Sequence, residues 1–475
     1  MNKVSIKEKI GYGVGAVGLD LSYGLFYSYL SLFLTNGLKI SPLFLLILAP
    51  IARIWDGVND PMMGSIVDRT RTKMGRYRPW ILTGAVLNAI VLTLLFNAGS
   101  FGMSGTGLYV FVAVFYVLWG MTNTLADIPF WSMVPSFATE EKDRNLVSTI
   151  ARTFSGLGQG IVSILTSVLV IGFAGVASDT NLSDMKAQDL TNGFGKWSAI
   201  CAVALVFFAC ISVFSTKERN LAPASDEKFS LTKALKIIRQ NDQLLTFMLF
   251  AMISNCGYYM TSGISSYYFL QVLGDLKLQS KFNLLGSVGS VLAILVIPIM
   301  GKFMTNRSVY KFSLTAATVG YIGMAVVGYG FSGMNHIEIA LGACYLVASI
   351  GIGSMFVNQT VMLADIVDYG EYKLGSRSQS LTFSMKGFLQ KMAYTLQCII
   401  MYSAFVATKY DFSGSSNAVM NNPGANSAIK AMMFIIPPVM LIISQIIFSK
   451  KYRIYGDFKR EVLDTIIKKR EEMAK

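Results

Sequence analysis

Histidine is all but missing from this 475-residue chain: His336 is the only one. A multi-histidine metal centre is thereby excluded. Because His336 falls in a short outer segment, a buried histidine proton relay is not expected either. Cysteine is scarce too. Cys201, Cys210, Cys256, Cys344 and Cys398 stand singly within apolar stretches, with no C-x-x-C pair. They read as small buried hydrophobes, so neither a disulfide framework nor a thiolate metal site is expected. Charge is the third shortage, at 14 % of residues, where a soluble chain carries about a quarter. Apolar residues fill the place, at 53 %. Windows of about 20 apolar residues recur twelve times, near 11–36, 43–67, 78–98, 107–135, 147–176, 194–215, 243–273, 282–304, 310–331, 338–366, 378–408 and 428–449. The expectation is an all-α membrane protein of twelve transmembrane helices.

A net charge of +14 raises nucleic acid as a partner, and its distribution removes it. Seven of the 41 Lys and Arg fall in outer loops or at the helix ends beside them, and four lie inside spans: Arg53, Arg152, Lys386 and Lys391. The rest occupy the termini, the even-numbered loops and the inner helix ends. This is the positive-inside bias, and it predicts a multi-pass protein of the cell (inner) membrane with both termini cytoplasmic. The first apolar window carries Asp20 and lacks a small-residue cleavage site, so it reads as a span and not a signal peptide. Two six-helix bundles, 1–216 and 243–449, flank a polar cytoplasmic linker at 217–242, and 450–475 forms a cytoplasmic tail.

Within the second span stands Arg53-Ile54-Trp55-Asp56-Gly57-Val58-Asn59-Asp60-Pro61. A charge near a bilayer centre costs about 2.5–3.5 kcal/mol on insertion scales, so three of them need a reason. Asp56 and Asp60 are four residues apart, on one helix face, with Asn59 beside them. Two carboxylates about 6 Å apart at an effective dielectric near 20 repel by about 3 kcal/mol. A cation or a proton between them relieves that repulsion. A helix end with ordinary headgroup charges is the plain alternative, but Gly64, Ile66 and Val67 continue the apolar run.

A second constellation suits hydroxyl-rich ligands. Asp20, Tyr23 and Tyr27 share one face of span 1, and Asp127 and Trp131 share one face of span 4, with Thr124 three residues before Asp127. Carboxylates accept paired hydroxyls and rings stack on C–H faces. Span 5 brings Arg152 as a counter-ion, and span 11 carries Lys386 and Lys391. Asp68 and Arg69, in the charged loop after span 2, are placed to latch helix ends. Span 7, with Tyr258, Tyr259, Tyr267 and Tyr268, echoes the Gly/Tyr-rich span 1 without its acid. A charged loop from Asp365 to Arg377 echoes the charged loop after span 4. Weak internal repeats of this kind are common in secondary transporters.

Three segments, R-I-W-D-G-V-N-D-P-M, A-D-I-P-F-W-S-M-V-P and A-D-I-V-D-Y-G-E-Y-K, occur in this order. Together they resemble the glycoside–pentoside–hexuronide:cation symporter family of the major facilitator superfamily, over about residues 9–450. The resemblance implies the major-facilitator fold, with twelve helices in two six-helix pseudo-repeats. It implies symport, by alternating access, of a glycoside of the galactoside or melibiose kind with Na⁺, Li⁺ or H⁺, and no other cofactor. It implies that Asp56, Asn59, Asp60 and Thr124 hold the cation. Asp20, Tyr27, Asp127, Trp131, Arg152, Phe356 and Lys386 fall to the sugar, and Arg53 and Lys391 to charge balance. The partners implied are a small glycoside, a monovalent cation and the lipid bilayer, with function as a monomer and no nucleic acid.

The chain departs from the pattern it resembles. A lysine before the helix 1 acid is Leu19 here, a helix 10 tryptophan is Phe356, and a helix 11 glutamine and threonine are Lys386 and Gly387. An added ammonium suits an acidic or otherwise modified sugar, and a lipid-type carrier of the same fold is a further alternative. An intramembrane aspartyl hydrolase is disfavoured, because its acids stand on two facing helices and the close pair here stands on one.

Overall fold

The computed structural model describes residues 4–138, 141–176, 186–219, 239–331, 333–374, 379–410 and 422–473. Each of the twelve expected spans falls on helix. They are α1 (Ile6–Leu32), α2 (Pro42–Arg69), α3 (Arg78–Phe96), α4 (Gly105–Ser132), α5 (Glu141–Ala174), α6 (Ala187–Ser215), α7 (Asp242–Tyr267), α8 (Leu278–Phe303), α9 (Asn306–Gly330), α10 (Ile337–Leu374) and α11 (Gln379–Ala407), then the pair α12 (Pro423–Phe434) and α13 (Ile436–Lys451). A last helix, α14 (Gly456–Met473), follows. Ten helical stretches among the described residues are long and apolar enough to cross a membrane. The backbone saturates its own hydrogen bonds this way, which hydrocarbon demands.

Local sequence sets the ends. Ser5 and Glu8 form a reciprocal capping box that starts α1. Ser41 caps α2, with Pro42 at the first helical position, where a missing N–H costs nothing. The echo between spans 1 and 7 extends to backbone geometry, since α1 runs into a π turn at Phe33–Gly37 and α7 into one at Tyr268–Val272.

Two expectations are corrected. The charged stretch from Asp365 is helix as far as Leu374, so α10 runs 38 residues. Its inner turns are held from two sides: Tyr369 donates to Asp242 at 2.8 Å and Lys373 pairs with the same carboxylate, while Lys459 of α14 pairs with Asp365 at 2.6 Å. Phe458 of α14 lies against the rings of Tyr369 and Tyr372. The last span is two helices, because Pro437 and Pro438 follow a break at Ile435. Other residues also tie helix ends together on this face. Glu218 accepts the backbone N–H groups of Arg76, Tyr77 and Arg78 at the start of α3, at 2.7, 2.9 and 3.1 Å. Arg219 pairs with Glu8, and Lys9 with Asp143, both at 2.6 Å. The side chain of Asp68, Arg377 and linker residues 220–238 lie outside the described residues.

The chain divides into two compact units. One comprises residues 1–229, 266–280 and 402–426; the other comprises 230–265, 281–401 and 427–475. In the first, α1 packs along α5 and α6, α3 along α4 and α6, and α2 along α4. Gly158 lets α5 approach α1, because a Cβ there would sit 2.6 Å from the Val17 carbonyl oxygen. In the second unit α9 packs along α10 and α13, and α14 along α10.

Candidate functional site

The acids of α2 face α4. Arg53 donates Nη1 to the Tyr27 hydroxyl at 2.6 Å and to Asp56 Oδ2 at 2.7 Å. Its guanidinium lies 5.1–5.6 Å from the ring centres of Phe26, Tyr27 and Tyr116. Arg53 and Asp56 are almost wholly buried. A charge pair survives such burial when both members are matched and hydrogen-bonded, and the aromatic faces add cation–π stabilisation. One turn further, Thr124 of α4 donates to Asp60 Oδ1 at 2.9 Å. Asn59 is buried beside them, and its Nδ2 has no partner among the described residues.

Sequence reasoning missed Gly120. A Cβ there would stand 2.6 Å from Asp56 Oδ1, so α4 meets the acid backbone-first at this point. Gly120 and Thr124 are one turn apart on α4, as Asp56 and Asp60 are on α2. The two stripes therefore face each other rung by rung. Asn88 of α3 fixes this part of α4, donating to the Trp119 carbonyl at 3.2 Å and to the Thr122 hydroxyl at 3.1 Å. Ser22 of α1 closes the network, donating to Asn88 Oδ1 at 2.6 Å and accepting from Trp119 Nε1 at 3.2 Å. Trp119 itself stacks on Phe26 at 3.5 Å. A signal was present: Asn88 is a strong hydrogen-bonding group in an otherwise apolar span, which wants a partner in hydrocarbon.

The second group assembles from α1, α4 and α5. Trp131 donates its indole N–H to Asp127 Oδ1 at 2.9 Å, and the Arg152 guanidinium lies 3.8 Å over the indole. Asp20 lies beside Ser155, one turn beyond Arg152, and within electrostatic reach of both Asp127 and Arg152. Asp20 and Asp127 are half-buried, and Arg152 and Trp131 retain exposed surface. The arrangement offers two carboxylates, a guanidinium and a ring within one unit. Tyr27, on the same helix as Asp20, also reaches α2. Its hydroxyl is engaged by Arg53, and its ring lies 4.1 Å from that of Tyr23, which places it with the α2 acids.

In the second unit Lys386 of α11 donates its ammonium to the Thr360 hydroxyl of α10, and Thr360 bonds the Phe356 carbonyl one turn back at 3.3 Å. Lys386 is thus drawn sideways onto α10. Phe356 meets Tyr258 edge-on at 5.4 Å, Tyr258 meets Tyr259 at 5.2 Å, and Tyr259 meets Tyr394 at 5.9 Å. Lys391 is half-buried on α11, and its carbonyl accepts from Thr395 at 2.9 Å.

Residues 11–455 match the family described as MFS/sugar transport protein. A lactose permease from Lactobacillus delbrueckii subsp. bulgaricus is 25% identical over 480 residues, covering 98% of this chain and 73% of that protein. A raffinose carrier protein from Pediococcus pentosaceus is 25% identical over 454 residues, covering 93% and 68%. Among solved structures, the inward-open xylose transporter XylE from E. coli superposes with a TM-score of 0.60 at 13% identity, over 94% of this chain and 95% of that one. Likeness at that identity speaks for the fold. The family match, which spans nearly the whole chain, carries the conclusion: this multi-pass membrane protein is a transporter and not an enzyme, and it belongs to the MFS/sugar transport protein family of the major facilitator superfamily.

Proposed function

We propose that the protein carries a glycoside across the cytoplasmic membrane together with Na⁺, Li⁺ or H⁺, by alternating access, as a monomer with both termini inside. Its relatives are named as carriers of lactose and raffinose, which are galactosides, and this favours a galactoside here. One observation carries the reading. Two acid groups of different character lie on successive turns of α4, since Thr124, which binds Asp60, is three residues from Asp127, which binds Trp131.

Each group has its own chemistry. Asp56, Asn59, Asp60 and Thr124 supply oxygen ligands of the kind a small hard cation takes, and a bound cation shares Asp56 with Arg53. Asp20, Asp127, Trp131 and Arg152 supply acceptors, a donor and a stacking face for sugar hydroxyls. Phe356 and Lys386 are assigned to sugar recognition and Lys391 to charge balance. Cation binding that repositions Asp60 moves Thr124, and with it the turn that presents Asp127. A single helical turn then links the two ligands, which is the coupling a symporter needs.

A second reading concerns the sugar alone. The ammonium of Lys386, where the family pattern has an amide, favours an anionic sugar. Counterflow in proteoliposomes against a sugar panel, with and without Na⁺, Li⁺ and a pH gradient, tests both. Asp56→Cys and Asp60→Cys should each abolish cation-driven accumulation while retaining sugar binding. Full Na⁺-stimulated uptake by Asp56→Cys would remove the cation assignment.

A further inference from the structure

Away from both acid groups, the second unit carries a groove of about 300 Å³ on the outward face of α13, lined by Ile442, Gln445, Ile446, Ser449 and Lys450. Ile442 and Ile446 are more than two-fifths exposed, as a lipid-facing wall would be. Polar groups in such a wall need partners, and here they reach across to α9. Gln445 donates to the Thr315 hydroxyl at 3.1 Å, and Arg307 donates Nη2 to the Ser449 carbonyl at 3.1 Å. Arg307, Lys311 and Thr315 are successive turns of one face of α9, so Lys311 lies on the helix between these two rungs.

Two cations thus stand at one end of the groove, Arg307 through its bond to Ser449 and Lys450 in the lining, with Lys451 next in the chain and Lys311 one turn along α9 from Arg307. Arg307 is held with its guanidinium 3.6 Å over the Tyr455 ring, and its Nε is buried with no partner among the described residues. A buried N–H without an acceptor is costly, and it marks a place where an oxygen belongs. The loop charges put this end at the level of the cytoplasmic headgroups.

We propose that this groove binds an anionic phospholipid. Its phosphate sits among Arg307, Lys311 and Lys450, and one acyl chain lies along Ile442 and Ile446. Basic pockets between transmembrane helices on the cytoplasmic side suit phosphate headgroups, and the apolar wall below selects a lipid over a free anion. Bound there, the lipid bridges α9 and α13.

Native mass spectrometry and thermal unfolding of the full-length protein in detergent test this, with dioleoyl phosphatidylglycerol, dioleoyl phosphatidylcholine and inorganic phosphate as probes. Phosphatidylglycerol should be retained and should raise the unfolding temperature, and the other two should not. The double change Lys311→Gln with Lys450→Gln should weaken phosphatidylglycerol binding about tenfold or more, given what one or two lysines contribute towards an anionic surface. Lys311→Arg with Lys450→Arg should retain it, as should Arg71→Gln with Lys73→Gln, which removes two exposed charges elsewhere. Equal retention of both lipids, equal protection by phosphate, or parental affinity in the glutamine double variant would each overturn the assignment. So would equal losses in the glutamine and arginine variants.

Discussion

Gly120→Ala is the sharpest probe of the α2–α4 contact. The added methyl would lie 2.6 Å from Asp56 Oδ1, about 0.8 Å inside an ordinary contact between packed heavy atoms. The carboxylate cannot swing away freely, because its other oxygen holds Arg53 at 2.7 Å within a nearly solvent-free site. Either the ion pair stretches or α4 backs away and lengthens the Thr124–Asp60 bond of 2.9 Å. Overpacking of this kind costs about 1–3 kcal/mol, so the cation should bind about 5- to 150-fold more weakly at 1.4 kcal/mol per factor of ten. Sugar affinity without cation should change little, since Asp127 and Trp131 lie beyond the contact. The assay is sugar counterflow in proteoliposomes as a function of Na⁺, Li⁺ and pH, with half-maximal cation concentration as the readout. Gly107→Ala, on the same helix with open space around its Cα, is the control and should match the parent. A Gly120→Ala protein that inserts normally and keeps the parent's cation dependence would refute the close contact as a coupling element.

Asp127→Ala should lower sugar affinity by about 2 kcal/mol or more, because a charged acceptor and the anchor of Trp131 are lost together; equilibrium binding of a labelled galactoside measures it. Lys386→Gln should shift the ranking in a sugar-competition panel towards neutral glycosides, and an unchanged ranking would mean that the ammonium drawn to Thr360 plays no part in specificity. Asn88→Leu should take the acceptor from the Ser22 hydroxyl and the amide donor from the Trp119 carbonyl and the Thr122 hydroxyl, and cost about 1–3 kcal/mol. The readout is a lowered unfolding temperature in detergent, with cation dependence shifted in the direction of Gly120→Ala.

The helices were legible because hydrocarbon leaves the backbone little choice: each of the twelve apolar windows falls mainly on helix. Acids buried in such windows are equally conspicuous, and Arg53, Asp56 and Asp60 announce themselves by cost alone. Their partners are another matter. Thr124 and Asp60 lie 64 residues apart, and nothing local to Gly120 separates it from the many glycines that merely let helices pack. The inner third of α10 looks like a loop for a related reason. Its charges would be unwelcome in a membrane, and the groups that hold it helical, Asp242 and Lys459, come from the far ends of the second unit. Tyr27 shares a face with Asp20, as spacing requires, yet a tyrosine long enough to reach Arg53 does so. Face sharing fixes direction and leaves the partner open.

The length of α10 gives it a mechanical property. Thirty-eight residues at about 1.5 Å each make a rod of about 57 Å, nearly twice the hydrocarbon thickness. Pivoted at its midpoint, a rod of that length converts a 10° tilt into a sweep of about 5 Å at its tip, the scale of one helical turn. The tip is riveted to Asp242 at the root of α7 and to α14 through Lys459 and Phe458, so the sweep is shared by all three. A spectroscopic label on the exposed side of α14, at Asp464 for instance, would read as an amplified pointer of tilting in the membrane, far from the ligands that cause it.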